Sequence, residues 1–242
     1  MARSTPRAKS NRKSSNVNAK KKNHPAITKK KNGSNNHFYS SDGSPLYPTI
    51  ALSDAYNTIT HVLAGIATYH LNEFIGLGFF LVAAASFIGT LRFGFSEKAF
   101  GKANGELATI AAFIGLPLIG IANIERINSD IDNNTSYQSS TTIILLLFLY
   151  IFATSIVSDS IKEVLILLVN VVLFVAPVYY EGYYRGSNME IFAITLFIIG
   201  TVIIGNNRHK CVLGMRCENW FHYCLGTSAY LMANEFASAM KV

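Results

Sequence analysis

Residues 52 to 72 constrain this chain more than any other stretch. They are apolar enough for a helix in a bilayer, yet they carry Asp54, Asn57, Thr58, His61, Thr68 and Asn72. At 100° per residue these six fall within about a third of the helix circumference. The opposite face is Ile, Val, Leu, Ala and Tyr. A helix with one polar stripe, set in an oily chain, must turn that stripe toward protein or a wet cavity.

The rest of the chain is oily. Half of the 242 residues are hydrophobic and only 14% are charged, against about a quarter in a soluble domain. The charge is also unevenly placed. Residues 1–41 hold 11 of the 21 Lys and Arg and no acid, so the remainder carries ten bases against 14 acids. The net +7 therefore belongs to the tail, and it gives no reason to expect nucleic acid as a partner. Three cysteines without paired spacing make neither a disulfide framework nor a zinc finger.

Residues 1–47 are rich in Lys, Asn and Ser and poor in aliphatics. They read as a disordered basic cytosolic tail beside a membrane, attracted to anionic lipid. Residues 48–242 read as an all-α, seven-helix transmembrane bundle. Its segments are expected at 50–71, 74–93, 105–124, 141–157, 161–180, 189–205 and 217–237, each near the 20 or so residues that a bilayer requires. Pro117 and Pro177 fall inside the third and fifth segments and are expected to kink them.

Basic residues cluster in the tail and in the connections after the second, fourth and sixth segments. This predicts a cytosolic N-terminus and a lumenal or extracellular C-terminus. The connection at 125–140 then lies outside, where Asn133 and Asn134 head two overlapping glycosylation sequons. Endoplasmic reticulum, Golgi and plasma membrane all fit this topology.

On that frame most intramembrane polar groups share the inner half of the bundle. Asp54, Asn57, Thr60 and His61 enter on the first helix, and Ser86 and Thr90 on the second. Glu106 opens the third, Asn170 lies mid-membrane on the fifth, and Glu218 and His222 open the seventh. A shared cavity accounts for this arrangement, and so does hydrogen-bonded glue between helices. Glu218 and His222 stand at i and i+4, so a helix aims both at one point. With His61 they would form a two-His, one-carboxylate zinc set, provided that the first and last helices are neighbours.

Two stretches carry a resemblance. Asp54-Ala-Tyr-Asn57-Thr-Ile-Thr60 is similar to the first-helix signature of alkaline ceramidases, which has Glu, then Asn three residues on, then Ser three further. Glu218-Asn-Trp220-Phe-His222-Tyr-Cys-Leu-Gly226 resembles their last-helix signature, His-x-x-x-His with an intervening Trp and a following Gly. With the progestin/adipoQ receptors, those proteins form the CREST superfamily of seven-helix membrane proteins. The resemblance implies that fold. It also implies lipid amide hydrolysis by a zinc ion held on three His and supported by a Ser and an Asp, here Ser86 and Asp54. The departures fall on the ligands. Thr90 stands where the second-helix His is expected, Glu218 stands for the first His of the last-helix motif, and only His222 is kept. The expectation is thus a lipid-sensing, receptor-like or scaffolding membrane protein without catalysis. The alternatives are a divergent metal-dependent lipid hydrolase and, third, a small transporter.

Overall fold

The computed structural model describes residues 28–29, 38–131, 138–205 and 211–239. Among these residues it contains seven helices, joined mostly by tight turns. The first two are α1 (Pro48–Tyr69) and α2 (Glu73–Gly94). α3 runs from Glu97 to Ile131 and α4 covers Gln138–Ser155. α5 covers Asp159–Arg185, α6 Asn188–Ile204 and α7 Cys217–Ala239. Each of the seven expected segments falls on one helix, with most ends shifted by a few residues and α3 longer than expected by eight residues at its start and seven at its end. α2, α5 and residues Glu97–Ile127 of α3 are long and apolar enough to cross a membrane, while Ile144–Ser155 and α6 are shorter apolar helices.

Side-chain chemistry starts and stops these helices. Asn72 caps α2 by accepting from the N–H groups of Phe74 and Ile75 at 2.9 and 3.3 Å, so this member of the polar stripe serves a helix start. Ser96 caps α3 and Ser187 caps α6 in the same way. Gly186, at φ +68°, ends α5 in the left-handed conformation that glycine adopts without penalty.

The two proline expectations resolve into local rewinding. α3 and α5 each contain a π-helical turn, Ala111–Gly115 and Val171–Val175. Each turn ends just before the Leu116-Pro117 or Ala176-Pro177 step. Proline offers no N–H and crowds the carbonyl four residues back, and a wider turn accommodates both effects. The carbonyl four residues before Pro177 is that of Leu173, and it rests on Gly120 of α3, where any side chain would overlap it. A third π-turn, Ile199–Ile204, ends α6.

The helices close into a ring in which α1, α2, α3, α5, α6 and α7 follow one another and α7 returns to α1. α4 stands outside the ring, against α3 and α5. One apolar cluster fills the end of the ring near the α5–α6 turn. It is built on Phe79, Ile119, Phe174, Val178, Ile194 and Phe236, all buried. A second cluster, with Phe113, Leu146 and Val169, fastens α4.

Short strands decorate the other end. β1 (Thr28–Lys29), β2 (Phe38–Tyr39) and β3 (Pro45–Leu46) pair antiparallel, as do β4 (Cys211–Val212) and β5 (Met215–Arg216). Residues 38–47, assigned by composition to the disordered tail, are therefore a structured strap. The Tyr47 N–H donates to the Phe93 carbonyl at 2.9 Å. Asp42 accepts from the hydroxyls of Ser40, Ser44 and Ser96, which tie the strap to the start of α3. Apart from Thr28–Lys29, the rest of the basic tail lies outside the described residues, as do Asn133 and Asn134.

Candidate functional site

Inside the ring, at the end that carries the strap, lies a cavity of about 600 Å³. Six helices line it, and the π-turns of α3, α5 and α6 all contribute, through Ala111, Val171 and Thr201. Its volume is that of a small-molecule site. Its apolar wall includes Val82, Leu116, Val175, Phe197, Ile198 and Leu225. Its polar wall brings together Asp54 and Asn57 from α1, Ser86 from α2, Asn170 from α5, and Glu218 and His222 from α7. Sequence reasoning singled out all six.

α1 is the element that makes this convergence work. It packs between α2 and α7, so the condition that the terminal helices be neighbours is met. Gly89 on α2 leaves room for the Asp54 carboxylate, which occupies the space where a side chain would stand. Asn57 Nδ2 donates to Ser86 Oγ at 2.7 Å, joining α1 to α2.

Across the α1–α7 seam runs a buried chain of three residues. Ser53 Oγ lies 3.1 Å from His222 Nδ1, and His222 Nε2 lies 3.2 Å from Asp54 Oδ1. The Ser53 hydroxyl donates to the Ile50 carbonyl at 2.9 Å. Its single proton is then spent, so it accepts from Nδ1–H of His222. Nε2 therefore faces Asp54, and one shared proton completes that contact. Ser53 was not singled out in the sequence. As the neighbour of Asp54 its face is ambiguous until the position of α7 is known.

The other stripe residues turn elsewhere. His61 is buried outside the cavity, with Nδ1 on the Asn57 carbonyl at 2.9 Å and its ring edge-on to Phe79 at 5.9 Å. Thr58 and Thr60 donate back to carbonyls of their own helix. So does Thr90, to the carbonyl of Ser86. Glu106 is exposed and faces Lys102 at 3.8 Å.

This placement corrects the zinc set. His61 does not reach the cavity where Glu218 and His222 meet. Among the described residues, no three His, Cys, Asp or Glu side chains group as metal ligands. Both ring nitrogens of His222 are engaged by Ser53 and Asp54, which leaves neither lone pair for a metal ion. The residues present do not fit the three-histidine zinc centre that the resemblance implies.

Four polar cavity residues, Arg92, Asn104, Glu163 and Thr201, escaped the sequence reading. Arg92 lies at the end of the second expected segment, where its sequence context suggests only a charge beside the connection. It lines the cavity, donates to Glu97 at 2.7 Å and Asn104 at 3.0 Å, and lies over the Phe93 ring. Asn104 and Glu163 also line the wall. Arg126 was likewise assigned to an outer loop. It is buried and paired with Glu181, which is fully buried, and its guanidinium lies 3.7 Å from Glu190 and 4.4 Å from the Phe236 ring centre. Arg185 adds a contact to Glu181 at 2.9 Å. The i, i+4 spacing of Glu181 and Arg185 was the one local signal of this cluster. No protein-family model, no curated protein and no solved structure matches this chain.

Proposed function

We propose that this chain is a multi-pass membrane protein of the seven-helix, CREST-like type that binds a lipid-like ligand in its cavity and acts as a sensor or scaffold. The observation that carries this reading is the inverted polarity of α1. The helix buries Asp54, Asn57 and His61 and exposes Leu52, Ile59, Leu63 and Ile66. In water such a helix would be turned inside out. In lipid, where polar groups face protein, it is correctly oriented.

Cavity shape supports a ligand delivered from the bilayer. Leu167 and Val171 of α5 and Val202 of α6 line the cavity and are also exposed. The first half of α5 packs on α3 and α4, whereas the end of α6 packs on α7, so the two walls part there. The ligand set argues for binding without metal-dependent hydrolysis. The strapped end with its basic tail is the cytosolic face in this reading, and the tail rests on anionic lipid.

The test has two arms. Alkaline extraction should leave the protein in the membrane pellet; release into the supernatant discards the membrane assignment. The purified protein in nanodiscs should bind a fluorescent single-chain lipid. Binding should vanish in Ala112→Trp, which fills the cavity, and persist in Ile151→Trp on the outer face of α4. Equal binding by both variants would locate the lipid elsewhere.

A further inference from the structure

We infer that Ser44 is a phosphorylation site for a proline-directed serine kinase, and that its phosphate detaches the strap from the bundle. Such kinases and their ATP are cytosolic, so the inference rests on the cytosolic placement of the strapped end. Sequence and exposure single out this hydroxyl. The strap holds three serines. Ser40 is buried, Ser41 is exposed but precedes Asp42, and Ser44 is partly exposed and precedes Pro45. Proline favours an extended conformation in the residue before it. Ser44 leads straight into β3, the outer strand of the small sheet, so Ser44-Pro45-Leu46 enters a kinase cleft already extended.

Geometry sets the consequence. The Ser40 N–H donates to the Ser44 carbonyl at 3.0 Å and closes the β2–β3 turn. Within that turn Ser44 Oγ donates to Asp42 Oδ1 at 2.7 Å and lies 2.9 Å from Ser40 Oγ, and the Ser44 N–H reaches the same Oδ1 at 3.0 Å. Asp42 Oδ2 accepts from Ser96, whose hydroxyl caps α3 by accepting from the Ala99 N–H at 3.1 Å. Asp42 thus ties the turn to α3 through serine hydrogen bonds, with no ion pair among the described residues.

Phosphorylation acts on that carboxylate. Ser44 Oγ attacks the terminal phosphorus of ATP in the kinase. The Oγ–P bond forms, the bond from that phosphorus to its bridging oxygen breaks, ADP leaves, and the hydroxyl proton passes to the base of the kinase. Ser44 loses the donor that it gave to Asp42 and gains about −1.5 to −2 of charge beside an acid, an arrangement that disrupts by repulsion. The turn opens, Asp42 leaves Ser96, and the strap is left on its Tyr47–Phe93 contact.

The experiment treats the full chain in phosphatidylcholine nanodiscs, which expose both faces, with a purified proline-directed kinase and Mg–ATP. A synthetic peptide of residues 38–50 is the positive control. Mass spectrometry is expected to place phosphate on Ser44 and none on Ser40 or Ser41, with most incorporation lost in Pro45→Ala. Hydrogen exchange across residues 38–47 should rise about tenfold on phosphorylation, as for a lost hydrogen bond to a charged group. Ser44→Ala loses the donor without gaining charge and should raise exchange by a smaller factor. Phosphate on the peptide but not on Ser44 of the protein overturns the inference. So does exchange that is unchanged, or slowed because a base such as Arg216 captures the phosphate. These results leave the lipid-cavity reading intact. An N-terminal tag shielded from protease on the lumenal side of sealed vesicles removes the cytosolic placement, and this inference with it.

Discussion

His222 Nε2 stands 3.2 Å from Asp54 Oδ1, so the last helix of the ring is fastened to the first by a contact 168 positions apart in the chain. Both residues are buried. The seam depends on the proton that they share. Asp54→Leu removes the partner of a buried ring nitrogen and is expected to cost about 1–3 kcal/mol. Asp54→Asn keeps a donor toward Nε2 and should cost less. Denaturant unfolding of the two variants, with His222→Leu to close a double-mutant cycle, measures the coupling. Additive losses would mean that the two side chains do not interact.

The opposite end of the ring is held by charge. Arg126 joins Glu181 of α5 and Glu190 of α6 from its place on α3. Replacing it with Met takes the paired cation from the buried Glu190 and leaves Glu181 with Arg185 alone, which costs about 3–5 kcal/mol. Arg126→Lys keeps the charge but loses the planar fork and should fall between Met and wild type. Thermal unfolding in detergent checks the order. A Met variant as stable as wild type would show that water reaches these acids.

Close helix approach at the α1–α2 interface predicts a steric effect. A methyl at Gly89 would meet the Asp54 carboxylate. Gly89→Ala is expected to destabilise by about 1–3 kcal/mol through overpacking and to weaken probe binding. Gly105→Ala, with open space around its side-chain position, should be neutral or slightly stabilising in a helix. The difference in melting temperature between the two variants decides.

Acid should release the strap. Hydrogen bonds from Ser40, Ser44 and Ser96 hold the Asp42 carboxyl well below the usual carboxylate range. A group whose pKa is lowered on folding stabilises the folded form above its unfolded pKa, near 4. That contribution is lost as the pH falls further, toward its folded value. Proteolysis or amide exchange across residues 38–47 should therefore rise below about pH 4. In Asp42→Asn it should be raised already at neutral pH. An unchanged exchange rate in that variant would show that the strap is held by Tyr47 and Phe93 alone.

Much of this arrangement was legible along the chain, because helices in an oily protein announce themselves by length and periodicity. The seven segments, the tight α1–α2 hairpin and the polar stripe follow from local sequence alone. So does the convergence of Glu218 and His222, since four residues make one helical turn wherever the helix lies. The stripe's individual members were less legible. Thr58 and Thr60 have short hydroxyl side chains that reach the carbonyls of their own helix, so a polar position on the face need not open into a cavity.

What the sequence settled is the helical, lipid-compatible nature of the chain, because hydropathy and 3.6-residue spacing are properties of neighbours. The ring decided the chemistry, because contacts across helices depend on rotation and depth. It sent His61 against Phe79 and away from His222. It buried Arg126 and Glu181, which the connections seemed to leave in water, and it supplied Ser53 as the partner of His222. A metal set that looked complete in one dimension came apart because one turn of α1 faces the cavity and the next faces α2.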